Sequence, residues 1–237
     1  MTTTGKQLFT TLTADGKLTL ELSEESFPEP TGNQVLVKME AAPINPSDLA
    51  ILTSAADFDN AEYSTGKVVA DMPEPFLTGQ KNRHGQRLPA GNEGAGTVVA
   101  TGDGDMAKAL MGQRVACVPG NAFSQYAIAD AMMCLPLGEH SSEVGASSFV
   151  NPMTALGFAE NAKMDGQKAI LHTVGASNLG QMLVKICQGP QHKNPAVPNN
   201  WSMQLRFCSN DGAAVGVHTS LPKLESRAEG EAEDKGR

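Results

Sequence analysis

The sequence predicts a mixed α/β chain, a β-rich, barrel-like first half followed by the opening of a parallel βαβ unit. Three observations carry this expectation. Up to about residue 135, short apolar-alternating runs are separated by turns bearing Gly, Asp and Pro. Near residue 141 the apolar residues change to helical spacing. Between Lys168 and Ile186 the order is apolar strand, small-residue turn, amphipathic helix.

The elements follow in order. Gln7 to Leu12 and Lys17 to Leu22 flank Ala14-Asp15-Gly16, a hairpin signal in which glycine supplies a positive φ. Val35, Val37 and Met39 alternate with Leu36, Lys38 and Glu40 as a strand. Thr97–Ala100, Arg114–Val118 and Gln125–Ala129 read as further short strands. Between Ile51 and Leu88 lies a long stretch read as irregular, either a substrate-side loop or an insertion. Ser142 to Ala162 has helical spacing, restarted at Asn151-Pro152 with Asn as cap and Pro at the first helical position. Asp165-Gly166 turns the chain into the strand Lys168–Val174, and Leu179, Met182, Leu183 and Ile186 share one helix face.

Beyond Gln188 the character changes. Residues 189–200 hold three prolines and Glu225–Arg237 is a charged run, so 189–237 is expected to be a divergent, disordered tail, with a strand or two between Met203 and Val217. No second parallel strand with a crossover helix is recognised there.

Composition excludes several classes. A net charge of −8 argues against a nucleic-acid partner. No apolar run approaches the ~18 residues of a membrane span. Cys117, Cys134, Cys187 and Cys208 show no C-x-x-C or metal spacing and read as small buried hydrophobes in a reducing compartment. Met1 to Thr13 lacks a secretory core, which points to the cytoplasm, with organellar import left open.

The turn Gly175-Ala176-Ser177-Asn178-Leu179-Gly180 sits where a dinucleotide fold holds its pyrophosphate against a helix N-terminus. Ser177 replaces the middle glycine, so the motif alone fits a phosphate cradle and an ordinary strand–helix turn equally well. Its context is more specific. Ala42–Leu49 (APINPSDL), Pro89–Gly96 (PAGNEGAG), Asn151–Leu156 (NPMTAL) and Gly175–Gln181 (GASNLGQ) occur in that order. This series, over residues 6–188, resembles the medium-chain dehydrogenase/reductase superfamily in its zinc-independent quinone-reductase and enoyl-thioester-reductase branches. The resemblance implies a GroES-like barrel over residues 1–135, a partial Rossmann nucleotide-binding domain over 136–188, and an active site between them. It stops near Gln188, so the Rossmann domain is expected to be incomplete, with C-terminal truncation of the chain and low or absent catalysis.

Zinc-dependent members carry a cysteine near Ile44 and a histidine in Gly-His-Glu; this chain has Asn45-Pro46 and Gly91-Asn92-Glu93. Asn92 is a poor zinc ligand, so no zinc is expected, and His172 reads as a core or cleft residue. The resemblance implies hydride transfer from NADPH or NADH to a small-molecule quinone or enone/enoyl substrate. It places Asn45 and Asp48 near the nicotinamide and Thr154 at its carboxamide or ribose. Asn151 and Gly175, Ala176, Ser177, Asn178, Leu179 and Gly180 would complete the cofactor contacts. The same residues also fit plainer roles: Asn45–Asp48 as a capped turn and Thr154 as a first-turn residue. The family's enoyl-reductase tyrosine has no counterpart in Thr53–Phe58. Tyr63 takes the role only if its loop folds back, and otherwise is a surface residue. The alternative function is a non-catalytic remnant acting as a binding or dimerisation module, and a homodimer suits either reading.

Overall fold

The computed structural model describes residues 2–167, 169–188, 202–208 and 214–218 and divides into two units, Met1–Val150 and Asn151–Arg237.

In the first unit, β1 (Thr3–Leu12) and β2 (Lys17–Phe27) form the expected hairpin, with Gly16 at a φ of 86° in the turn. Leu12 and Leu18 face each other across it and are buried together with Met72 and Leu77. β3 (Gln34–Ala41) presents Val35 and Val37 to a second cluster that holds Val98, Val115, Cys117 and Ala129, as the period-two alternation requires. After β3 come α1 (Pro46–Leu52), β4 (Asp57–Ser64), β5 (Lys67–Asp71), α2 (Glu74–Gly79) and β6 (Arg87–Pro89). They are followed by β7 (Gly94–Thr101), α3 (Asp105–Ala109), β8 (Arg114–Cys117), β9 (Tyr126–Asp130), β10 (Cys134–Pro136) and α4 (Ser142–Gly145). The strands make two five-stranded sheets, β4-β5-β2-β1-β6 and β10-β8-β7-β3-β9. Backbone bonds from Leu8 N–H to Phe123 O (2.9 Å) and from Gln125 N–H to Lys6 O (2.8 Å) join them along β1.

Two expectations need correction here. The stretch between Ile51 and Leu88 is not irregular: β4 and β5 form a hairpin that pairs onto β2, and α2 and β6 follow. Its sequence lacks an apolar rhythm because β4 is exposed along most of its length. The first unit also runs past residue 135 to Val150. The segment after that point stays with the barrel because β10 pairs with β8, and Leu137 and Ala146 bury against Ala95 and Ala116.

The second unit contains most of α5 (Val150–Met164), then β11 (Ala169–His172), α6 (Asn178–Gln188), β12 (Ser202–Cys208) and β13 (Ala214–His218). Ala155 and Ala159 of α5 and Leu183 and Cys187 of α6 form its core, with Ile170 of β11 against them. The strands expected between Met203 and Val217 are present, and the first of them is a second parallel strand without the crossover helix of a complete unit. β12 pairs parallel to β11, and β13 then returns antiparallel to β12. The parallel pairing was not legible because Met203, Leu205 and Phe207 alternate with Gln204 and Arg206, whereas a strand buried on both faces reads as continuously apolar. The next element after β12 is a hairpin partner, not a crossover helix. Within 189–237 these strands cover 202–208 and 214–218; the other residues, on which the expected disorder falls, lie outside the described ones.

Candidate functional site

The first group of site residues is assembled by the entry to α1. Pro46 occupies the first helical position and confines Asn45 before it to extended backbone, at φ −89° and ψ 156°. Asp48, three residues on, reaches back so that its Oδ2 accepts the Asn45 N–H at 2.8 Å, the reciprocal half of a capping box. Its Oδ1 accepts the N–H of Asn92 at 3.0 Å, and the Asn92 side-chain amide donates to Ser47 Oγ at 2.9 Å. The two motifs, 44 residues apart in sequence, are thereby laced together.

Glu93 extends this lacing. Asn45 Nδ2 donates to its Oε1 at 3.1 Å, and its Oε2 accepts the N–H groups of Phe149 and Val150, each at 2.9 Å. Those amides open α5, where the first N–H groups lack intrahelical partners and favour a negative charge. Glu93 and Asp48 are each 1% exposed and Asn45 is 4% exposed. Gly91 makes the loop that carries Asn92 and Glu93. It sits at a φ of 93°, and a Cβ there would lie 2.5 Å from the Phe123 backbone nitrogen.

Asn45 and Asp48 are thus brought together, with their polar atoms engaged inside the barrel unit. Tyr63 is not part of this cluster. It lies on the outer strand β4, is 67% exposed, and donates its hydroxyl to Phe58 O at 3.0 Å. Asn92 donates its side-chain nitrogen to Ser47 Oγ, which fastens its loop to α1. Among the described residues no group of three or more His, Cys, Asp or Glu is arranged to hold a metal.

The second group lies in the second unit. α5 begins at Val150, two residues ahead of Pro152, the expected first helical position. Asn151 is therefore inside the first turn, and the amides before it are capped by Glu93 instead. Asn151 and Thr154 are both half-buried on α5. After β11, Ser177 takes the N-cap of α6: its Oγ accepts the Gly180 N–H at 3.1 Å and donates to Val174 O at 2.7 Å. The serine at the middle glycine position thus fills one helix amide with its own hydroxyl. Gly175 and Gly180 are buried against each other, and a Cβ on Gly180 would come 2.4 Å from Gly175 O. Ala176 and Asn178 are exposed and Leu179 half-buried on the same turn. His172 accepts the Val174 N–H at Nδ1 (3.0 Å) and stands edge-on to Phe158, with ring centroids 6.2 Å apart.

Glu93 is the residue that sequence reasoning passed over as a site member. The available signal was a lone charge within the small-residue run Ala90–Gly96, where a carboxylate has to find donors to be buried. Among the described residues no helix is long and apolar enough to cross a membrane.

The alcohol dehydrogenase GroES-like domain matches residues 31–171, more than half of the chain. Prostaglandin reductase-3 of Mus musculus is 27% identical over 160 residues, 67% of this chain and 36% of that protein. A putative NADPH:quinone reductase of Mesorhizobium loti is 32% identical, with a TM-score of 0.55, covering 76% of this chain and 50% of its own. One from Bacillus thuringiensis shares the fold at 19% identity, with a TM-score of 0.58 and coverage of 86% and 52%. The chain therefore spans between about a third and a half of the length of these relatives. With the family domain matched and the four ordered motifs found at the entry to α1, the loop into β7, the start of α5 and the turn into α6, the chain belongs to the medium-chain dehydrogenase/reductase superfamily, in its quinone-reductase and enoyl-reductase branch.

Proposed function

We propose that this chain binds NADPH or NADH at the Gly175–Gly180 turn and belongs to a zinc-independent reductase of quinones or enones. The observation that carries the reading is the β11-α6-β12 unit, a parallel pair whose connecting helix opens with Gly180 packed on the Gly175 backbone. This is the local arrangement that brings amide groups of a helix start to a pyrophosphate. The Asn178 and Leu179 amides of α6 are the donors left for the anion, since Ser177 already occupies that of Gly180. Thr154 and Asn151 on α5 would orient the nicotinamide, which when bound supplies the hydride. The neutral amide of Asn92, a poor zinc ligand, and the occupied oxygens of Asp48 and Glu93 support chemistry without zinc.

Asn45 would contribute by position and Asp48 by holding Asn45. Tyr63 would serve as proton donor by releasing the Phe58 carbonyl. A second reading, a non-catalytic barrel serving as a binding or dimerisation module, is favoured by the near-complete burial of Asn45 and Asp48.

Calorimetric titration of the full chain with NADPH and NADH tests the proposal. Micromolar binding that Gly180→Val abolishes would support it, because the added side chain meets the Gly175 backbone. Absence of heat up to millimolar cofactor, from protein with an intact melting transition, would leave the second reading. With a quinone or enone present, Tyr63→Phe should lower turnover while leaving cofactor affinity unchanged; unchanged turnover removes Tyr63 from the site.

A further inference from the structure

We propose that Cys117 and Cys134 form a redox-sensitive pair, a modification site at which a peroxide converts two thiols on neighbouring strands into one cross-strand disulfide. The pair follows from strand register. In the antiparallel β8–β10 ladder Cys134 stands directly opposite Cys117, Leu135 opposite Ala116 and Pro136 opposite Val115. The Leu137 N–H donates to Arg114 O at 2.9 Å, which makes Leu137 and Arg114 a hydrogen-bonded pair by continuation of that register. Antiparallel pairs alternate between hydrogen-bonded and non-hydrogen-bonded. Pro136–Val115 is therefore non-hydrogen-bonded, in keeping with a proline that has no N–H to give, and so is Cys134–Cys117.

That alternation has a direct consequence. Non-hydrogen-bonded partners have Cα atoms about 4.5 Å apart, inside the roughly 4.4–6.8 Å that a disulfide spans. Directly opposed residues send their side chains to the same face of a sheet. Cys134 accordingly packs against the buried cluster that contains Cys117.

The two thiols differ in access and acidity in a way that orders the chemistry. Cys117 is fully buried and Cys134 half-buried. Contact with the Cys117 thiol holds Cys134 below the ordinary thiol range, against the opposing effects of burial and Asp130. The same contact, then burial, pushes Cys117 far up. The more exposed sulfur is thus the readier thiolate and the better nucleophile toward an oxidant. Cys187, pushed up to about 11 by burial in the other core, serves as an internal comparison.

In the first step the Cys134 thiolate attacks one peroxide oxygen. The O–O bond breaks, and the departing hydroxide takes a proton to become water, leaving a sulfenic acid. Cys117 sulfur then attacks Cys134 sulfur. The S–O bond breaks, and the second water leaves with the Cys117 proton. In total two thiols lose two electrons and two protons, and one peroxide becomes two waters. The product ties the three-residue strand β10, at the edge of its sheet, covalently to β8.

The full chain is treated with a modest excess of hydrogen peroxide, alkylated, and digested without reductant by chymotrypsin, which cuts at Phe123 and Tyr126 between the two cysteines. The expected result is a Cys117–Cys134 linked peptide that dithiothreitol separates. The thiol titre in denaturant falls from the four cysteines of the chain to two. The melting temperature of the oxidised protein rises by several degrees. Cys134→Ser should give no linked peptide and leave Cys117 resistant to peroxide. The proposal is overturned by Cys134 over-oxidised to sulfinic acid beside an alkylated Cys117, by a link to a different cysteine, or by Cys117 oxidising in Cys134→Ser as fast as in the parent. The mapping on the unaltered chain decides the matter even if a variant fails to fold.

Discussion

Replacing Glu93 tests the lacing of the barrel directly. Its carboxylate accepts from Asn45 Nδ2 at 3.1 Å and from the Phe149 and Val150 amides at 2.9 Å, all in a setting where Glu93 is 1% exposed. Glu93→Leu removes every acceptor and keeps the site dry. Each buried donor left without a partner costs about 1–3 kcal/mol, so three together cost on the order of 3–6 kcal/mol after partial relaxation. Glu93→Gln keeps one oxygen and the shape but loses the negative charge at the start of α5. Two charge-assisted bonds become neutral ones, and Asn45 Nδ2, now opposite the new amide nitrogen, loses its acceptor, a combined loss of about 2 kcal/mol or slightly more. For a chain of this size each kcal/mol moves the melting temperature by about 2–4 °C. Thermal unfolding followed by circular dichroism should place Gln some 4–8 °C below the parent and Leu on the order of 10 °C below it. The order matters more than the values. A Leu variant melting within ~1 °C of the parent would refute the reasoning, because no buried donors would then depend on this residue.

Two further predictions concern the same unit. Gly91→Ala should lower stability by about 2 kcal/mol or more, because it combines a positive φ with a Cβ 2.5 Å from Phe123 N; equal urea midpoints for the two proteins would contradict this. Hydrogen bonds from Ser142 (2.5 Å) and Thr97 (2.7 Å), with the nearby Arg114 and Lys38 charges, hold Glu40 below the usual carboxylate range against the effect of burial. A depressed folded pKa means that this contribution is present above the unfolded value of about 4.3 and is lost as pH falls through the folded one. Glu40→Gln should therefore lower the urea midpoint at neutral pH, and by less at about pH 3. An equal deficit at both pH values would show that the carboxylate's charge is irrelevant.

What the sequence revealed depended on how local the physics was. The β1–β2 hairpin was legible because Gly16 and the alternation on both sides sit within one short window. Asn45 and Asp48 stood out for the same reason, since Asn-Pro-x-Asp encodes its own helix entry. The outer strand β4 left no apolar rhythm because most of its side chains are exposed. Glu93 was opaque because its partners are 48, 56 and 57 residues away, and nothing near it in sequence supplies the donors. β12 was legible as a strand, but its parallel pairing was not, because that is a property of β11 as much as of itself. Ser177 looked like a defect in a glycine motif until its hydroxyl was seen on the Gly180 amide.

The outer strand β4 has one more consequence. The border of any open sheet offers a row of unpaired amides and carbonyls onto which a second chain can zip. Here that border carries Asp57, Asp59 and Glu62 within six residues, and β4 meets β5 with an irregular register between Asp57 and Glu62. Two such borders brought together would stack carboxylates against carboxylates along a kinked line. Self-assembly of this protein through continuous sheet extension is thereby disfavoured on this side, so the barrel can keep an exposed flank without seeding fibres from it.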